Sequence, residues 1–239
     1  MSQHVAVNPL DHKSVRILEQ RSEEMGDGSM ICVSFPEEFR RLQAHYPILF
    51  QRSSERDEFT CVVLMGFENG ENLFLKDDRW DAAYIPLAMD VQPFLIGMPE
   101  KDGEDRKVVL DLEHPRVSEG EGQRIFDDAG EATTYLENIS TKLDYLDKAY
   151  RNAADYLAAL QKYELLESLA IDVTMSDGEQ NRLAGFHTIH EEKLAALDER
   201  ALKDLHQQGY LLPTYMAVAS LSNLTALIER KDVVSGHDS

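Results

Sequence analysis

The sequence predicts an α+β fold: a β-rich N-terminal half with hairpins, packed with a helix-rich C-terminal half that contains one long helix and a second hairpin. Three observations carry this. Short β-branched and aromatic runs with turn punctuation fill residues 1–112, and a polar, Gly-containing connection follows over 113–131. Over 134–161 the apolar residues then recur at alternating spacings of three and four, the period of one helix face.

Taken in order, Ser14–Leu18 and Met30–Phe35 read as strands. A short helix follows, with Ser34 as N-cap, Pro36 in the first turn and Glu37 closing a capping box. Pro47 stops it. Ile48–Gln51 and Phe59–Gly66 form a strand pair around the polar loop Ser53–Asp57. Asn69-Gly70 supplies the positive φ of a type I′ turn and predicts a hairpin between Val62–Phe67 and Asn72–Leu75. Asp102-Gly103 predicts another, between Pro93–Ile96 and Lys107–Leu112, while Arg79–Pro86 reads as an ordered connection.

Leu136, Ile139, Leu143, Leu146, Tyr150, Ala153, Leu157 and Leu160 make the stripe of the long helix, opened by Thr134 with Glu137. The stripe suits packing within the chain or, with its coiled-coil-like period, a homodimer through the 134–161 helix. Ile171–Met175 and Asn181–Phe186 flank Ser176-Asp177-Gly178 as the second hairpin. Thr188 with Glu191 predicts a cap, Asp198 another, and Gly209 a helix end. A final helix runs from Leu212-Pro213 to about Glu229, and the helix-rich half thus spans 132–230, with a frayed tail over 231–239.

The 239 residues carry a formal net charge of −20. Such an excess repels nucleic-acid phosphates and anionic membrane surfaces, so neither is expected as a partner; a docking face for a basic protein is the alternative to simple solvation. No apolar run approaches the ~20 residues of a membrane span, so no membrane insertion is expected. The N-terminal residues lack a cationic and an apolar signal region, which makes the cytoplasm the expected address. Cys32 and Cys61, each in an apolar stretch, read as buried free thiols.

The candidate ligand pocket joins His45 and Tyr46 to Trp80, Asp81 and Tyr84. A histidine titrates near neutral pH, a carboxylate orients it, and aromatic walls exclude water around a planar ligand. The same residues also suit core anchors, with Asp81 at a turn and His45 bonded to backbone. His187-x-x-His190-Glu191 is the one metal-like cluster, but His187 falls outside the expected helix, so no metal is expected. Gly120-Glu121-Gly122 sits among carboxylates, and neither a Walker loop nor a dinucleotide fingerprint occurs; no cofactor is expected.

The run Phe35–Phe50, then Gly66-Phe67, Trp80-Asp81 with Tyr84-Ile85-Pro86, and Gln92–Gly97 resemble the bacterial SapC family. So do Asp111–Ser118, Leu183–Ile189 and the block from Leu205 to Arg230. The resemblance implies association with bacterial surface layers, and a setting near flavin-dependent halogenase-like proteins and outer-membrane receptors. It carries over no catalytic residue. Two function classes follow: a non-catalytic binding or accessory protein of a surface-layer, uptake or halogenation-associated system, with a protein partner or a small aromatic ligand; or a small-molecule enzyme using His45 and Asp81 as an acid–base pair.

Overall fold

The computed structural model describes residues 3–53, 58–97, 106–174 and 180–235. Its architecture is the expected α+β one: strands dominate the first half, and the second half is helical apart from one long hairpin. The chain divides into two compact, interleaved units.

The first unit comprises Met1–Gly28, Leu75–Asp81 and Leu87–Lys148. One small sheet orders His4–Ala6, Lys107–Asp111 and Phe94–Gly97, all antiparallel, with Lys107–Asp111 central. The expected pairing of the last two strands is therefore present, while its Asp102-Gly103 turn lies outside the described residues. A second sheet places Arg16–Ile17 between Val117–Ser118 and Gln123–Arg124. This corrects the expectation of an unpacked connection over 113–131. Arg116, Ile125 and Phe126 within it are buried. The sequence misleads there because two-residue strands leave no hydrophobic period to read.

The hairpin expected at Asn69-Gly70 also differs. Gly70 does turn with φ +87°, and Glu71 N–H donates to the Glu68 carbonyl at 3.1 Å. The ladder, however, pairs Leu75–Lys76 with Arg79–Trp80, around Asp77 and Asp78 at φ 49° and 58°. Two consecutive left-handed residues make that turn the tighter connection, and Asp tolerates the conformation through local hydrogen bonding.

The second unit comprises Ser29–Phe74, Ala82–Pro86 and Ala149–Ser239. It is built on a five-stranded antiparallel sheet in the order Leu166–Thr174, Gln180–Ile189, Ile48–Arg52, Phe59–Leu64, Ile31–Val33. The second hairpin is thus longer than expected, and its Ser176–Gly178 turn lies outside the described residues. Ile48, Leu49, Phe50, Val62, Val63 and Leu64 are buried on both faces of the central strands. Burial of each large apolar side chain is worth roughly 1.5–3 kcal/mol.

The helix Thr134–Lys162 runs through residues of both units. Its cap is Thr133, whose Oγ1 accepts from Leu136 N–H at 3.4 Å, one residue before the expected position. The stripe is buried at Leu136, Ile139, Leu143, Leu146, Ala153, Leu157 and Leu160, but Tyr150 is 68% exposed. Ala149 and Tyr156 complete the buried face instead.

Three further helix starts and ends refine the sequence reading. Thr188 lies in a strand, and His190 caps the short helix Glu191–Ala195 by accepting from Lys193 N–H at 3.4 Å. Asp198 caps Glu199–Gln207 as expected, through Ala201 N–H at 2.8 Å. The last segment forms two helices, Leu211–Ser220 and Asn223–Ser235, so residues 231–235 are helical rather than frayed. Lys231 anchors that end on Glu68 at 2.7 Å and Glu71 at 2.6 Å. The stretch Leu211–Val234 is long and apolar enough, by length and composition, to cross a membrane, which corrects the expectation about run length. Within the second unit, Ser220 of that stretch accepts from Ile48 N–H at 2.8 Å, and Thr214 meets the Tyr156 hydroxyl at 3.3 Å.

Candidate functional site

Of the five residues singled out in the sequence, His45, Tyr46 and Tyr84 belong to the second unit, and Trp80 and Asp81 to the first. Tyr46 is fully buried, its hydroxyl donates to the Tyr84 carbonyl at 2.6 Å, and its ring lies 4.5 Å from that of Phe74. Tyr84 in turn donates to Glu38 Oε2 at 2.8 Å, beneath the Arg41 guanidinium. His45 is half-buried, its ring edge-on to Tyr46 at 6.0 Å. Trp80 is half-buried at the end of its two-residue strand, and Asp81 is exposed. The structure therefore joins Tyr46 to Tyr84 as a hydrogen-bonded aromatic pair. None of the five residues lines either cavity described next.

The first cavity, about 440 Å³, opens in the second unit where the edge strand Ile31–Val33 meets the C-terminal half of the long helix. Its sheet side is Val33, Ser34, Phe35 and the start of the strand Phe59–Leu64, through Phe59, Thr60 and Cys61. Its helix side is Tyr150, Arg151, Ala153, Ala154, Leu157 and Gln161. The local sequence explains the space. Ala153 and Ala154 present only methyl groups where Tyr150 and Leu157, one turn to either side, present large side chains. Between those bulky flanks the helix cannot close on the sheet edge.

Ser34 is a buried polar residue of a lining that also holds Glu58, Thr60, Arg151 and Gln161. Its N–H donates to the Cys61 carbonyl at 2.9 Å, continuing the ladder in which Cys32 faces Val63 and Val33 faces Val62. Alternation along the strands puts Ser34, Cys61 and Phe59 on one face. The expected capping box does not form: Phe35 is the N-cap of the Pro36–Glu38 turn, with no side-chain cap bond. Glu37 accepts instead from Asn152 Nδ2 at 3.0 Å. Ser34 Oγ is thereby left buried with no hydrogen-bond partner. A buried hydroxyl in that state has forfeited its hydration without replacement, which costs about 1–3 kcal/mol until a partner is supplied.

Burial pushes the Cys61 thiol well above its ordinary range, and the Glu37 carboxylate adds to this. The group therefore stays a neutral thiol, a poor nucleophile. Tyr150, read from sequence as part of the buried stripe, instead stands at the cavity with its ring edge-on to Phe35 at 6.4 Å.

A second cavity of about 400 Å³ in the same unit is more polar, lined by Glu37, Arg40, Asn152, Asp155, Gln208 and Tyr210 among others. Tyr210 holds its proton more tightly than an ordinary tyrosine, through burial first and then the Asp155 and Glu37 charges.

Sequence reading missed a buried charge cluster in the first unit. Asp27 is fully buried and ion-pairs with Arg116, itself 2% exposed, and with Arg21 at 3.2 Å. Arg21 also reaches Asp90 at 3.0 Å, which Lys142 meets at 2.6 Å. His114 Nδ1 accepts from Arg116 N–H at 3.2 Å, and burial, then the Arg116 charge, depress the histidine pKa. At Gly26, which has φ +86°, a Cβ would stand 3.1 Å from His114 Nε2 and crowd the ring. Within the second unit, His187 packs its ring edge-on to Phe59 at 4.9 Å, while His190 caps a helix. Among the described residues, no three His, Cys, Asp or Glu side chains converge as a metal-binding group.

The fold and site thus define an α+β protein with a mostly apolar cavity at a sheet edge. The family model described as SapC matches residues 7–227, and the chain belongs to the SapC family. No curated protein and no solved structure matches it.

Proposed function

We propose that this chain is a non-catalytic binding or accessory protein that holds a small aromatic ligand in the cavity at the sheet edge. The single observation that supports the reading is the composition of that wall. Phe35, Phe59, Tyr150 and Leu157 offer apolar and aromatic surface in a volume of about 440 Å³, within the usual range of ligand sites. The titratable groups beside it are Glu58, Cys61, Tyr150 and Arg151, and Cys61 is held in its unreactive form. Such a wall is suited to retaining a molecule rather than to moving its protons. The accessory setting, in a surface-layer, uptake or halogenation-associated system, is part of the same proposal, and the family resemblance is its support.

The test is to purify the protein from its native host, denature it and identify released small molecules by mass spectrometry. The proposal expects one aromatic compound, near stoichiometric with the chain and chemically unchanged after prolonged incubation with it. Recovery of no compound, or steady conversion of the compound into a product, would overturn it.

A further inference from the structure

We infer that the second, more polar cavity is a ligand site of its own, and that it takes a zwitterionic α-amino acid with an apolar side chain. Glu37 and Asp155 receive the ammonium group, and Arg40 receives the carboxylate. This cavity shares no lining residue with the one at the sheet edge, so the inference is independent of the reading above.

Three segments of the second unit enclose its volume of about 400 Å³. Glu37 and Arg40 come from the turn Pro36–Glu38 and the short helix Phe39–Leu42 that follows it. Asn152 and Asp155 lie three residues apart on the long helix, and so on one face of it. Gly209, at φ +77°, reverses the chain after the helix Glu199–Gln207, and the Tyr210 N–H then donates to the Leu205 carbonyl at 2.8 Å. That turn brings Tyr210 to the cavity, with its ring edge-on to the buried Tyr156 at 5.5 Å.

The charges of this lining are opposite in sign yet do not pair. Among the described residues, neither the Arg40 guanidinium nor the Asp155 carboxylate has a hydrogen-bond or ion-pair partner. Glu37 is oriented by Asn152 Nδ2 at 3.0 Å, and a carboxylate that accepts one such bond keeps room for more. After burial, the Asp155 and Glu37 charges raise the Tyr210 pKa, so both fields reach its hydroxyl. An ammonium set there meets two carboxylates and an aromatic ring. A carboxylate on the same molecule meets the guanidinium fork. Leu212, Pro213 and Met216 supply apolar surface for the ligand's side chain. With two carboxylates against one guanidinium, a cation alone fits better than an anion alone, and the net charge of −20 acts in the same sense.

The experiment titrates L-phenylalanine, phenethylamine and 3-phenylpropanoate into the wild-type chain, Asp155→Asn and Arg40→Gln, by calorimetry at neutral pH and low salt. Both residues are exposed, so neither substitution enters the core, and circular dichroism checks that each variant is folded. Wild type is expected to bind phenylalanine about 3- to 10-fold more tightly than phenethylamine, and 3-phenylpropanoate most weakly. Asp155→Asn weakens phenylalanine and phenethylamine by a similar factor and does not weaken 3-phenylpropanoate. Arg40→Gln brings phenylalanine down to the level of phenethylamine, whose own binding it does not weaken. If none of the three binds wild type, the site falls. If phenethylamine matches phenylalanine in wild type, or 3-phenylpropanoate binds most tightly, the zwitterion assignment is wrong. If either substitution leaves phenylalanine binding unaltered, the ligand is not held by these charges and the inference is overturned.

Discussion

Ser34 and Cys61 are joined across the sheet edge by a backbone hydrogen bond of 2.9 Å, and both residues border the same cavity. The strand register thus fixes an unpartnered hydroxyl and a neutral thiol side by side. Their different chemistry makes them separate probes of one place.

Cys61 is predicted to be nearly inert in the native chain. A raised acid pKa means that the thiolate is disfavoured in the folded state, and each unit of rise cuts its population about tenfold. A small disulfide reagent at pH 8 should therefore label native Cys61 far more than tenfold more slowly than the urea-unfolded chain. Labelling followed by peptide mass mapping checks this. Comparable rates in the two states would contradict the burial of the thiol. The linked stability effect has a definite sign: it is complete below the ordinary thiol value of 9.0 and declines as pH rises beyond it.

Asp27 holds two guanidiniums, and its removal is predicted to be severe. Asp27→Ala leaves Arg116 buried beside Arg21 with like charges and should cost about 3–5 kcal/mol, the usual result of breaking a buried ion pair on one side. The urea midpoint measures the loss. The exposed pair Arg124–Asp128 serves as the comparison, and Asp128→Ala should leave the midpoint nearly unmoved. Equal effects of the two substitutions would deny the cluster its structural role.

His114 predicts a pH dependence in the acid direction. Its folded pKa lies below the ordinary 6.5, through burial and then the Arg116 charge, with Arg21 acting the same way and Asp111 and Asp27 opposing. The unfolded chain therefore takes up a proton that the folded chain refuses. Stability is unaffected above about 6.5 and is lost as pH falls from there towards the folded pKa. His114→Asn keeps an acceptor for Arg116 N–H and removes the titration. Its stability should fall less steeply between pH 7 and 5 than that of the wild type, in paired urea titrations. Because His187 also has a lowered pKa and is present in both proteins, the difference between them isolates His114.

How legible this protein is from its sequence depends on the length of the pattern involved. The long helix and the strand pairing of Ile48–Arg52 with Phe59–Leu64 stand out, because each repeats its period several times. Arg16–Ile17 and its two neighbours do not, since two residues define no period. The capping serine failed for a different reason. Ser34, Pro36 and Glu37 satisfy the local rule, but the sheet carries Ser34 into its ladder and Asn152 takes Glu37. Tertiary pairing overrode a local preference worth only about 1 kcal/mol.

The sequence groups Tyr46 and Tyr84 with His45, Trp80 and Asp81 as a candidate pocket; in the fold the Tyr46 hydroxyl meets the Tyr84 backbone carbonyl. The cavity had only a faint signal: Tyr150 followed by Ala153-Ala154 in an otherwise bulky stripe, where small residues leave room beside large ones. The charge cluster had none, because Arg21 and Asp27 meet Asp90 and Arg116, far along the chain, only through the fold of the first unit.

The central claim is that the cavity at the sheet edge is a ligand site, and calorimetric titration of 2-naphthol into wild type and Ala154→Trp tests it most directly. The account predicts saturable 1:1 binding to wild type and at least about a tenfold loss in the variant, equivalent to about 1.4 kcal/mol, with an unchanged thermal midpoint. Equal affinity in the two proteins, or no saturable binding to wild type, would contradict it.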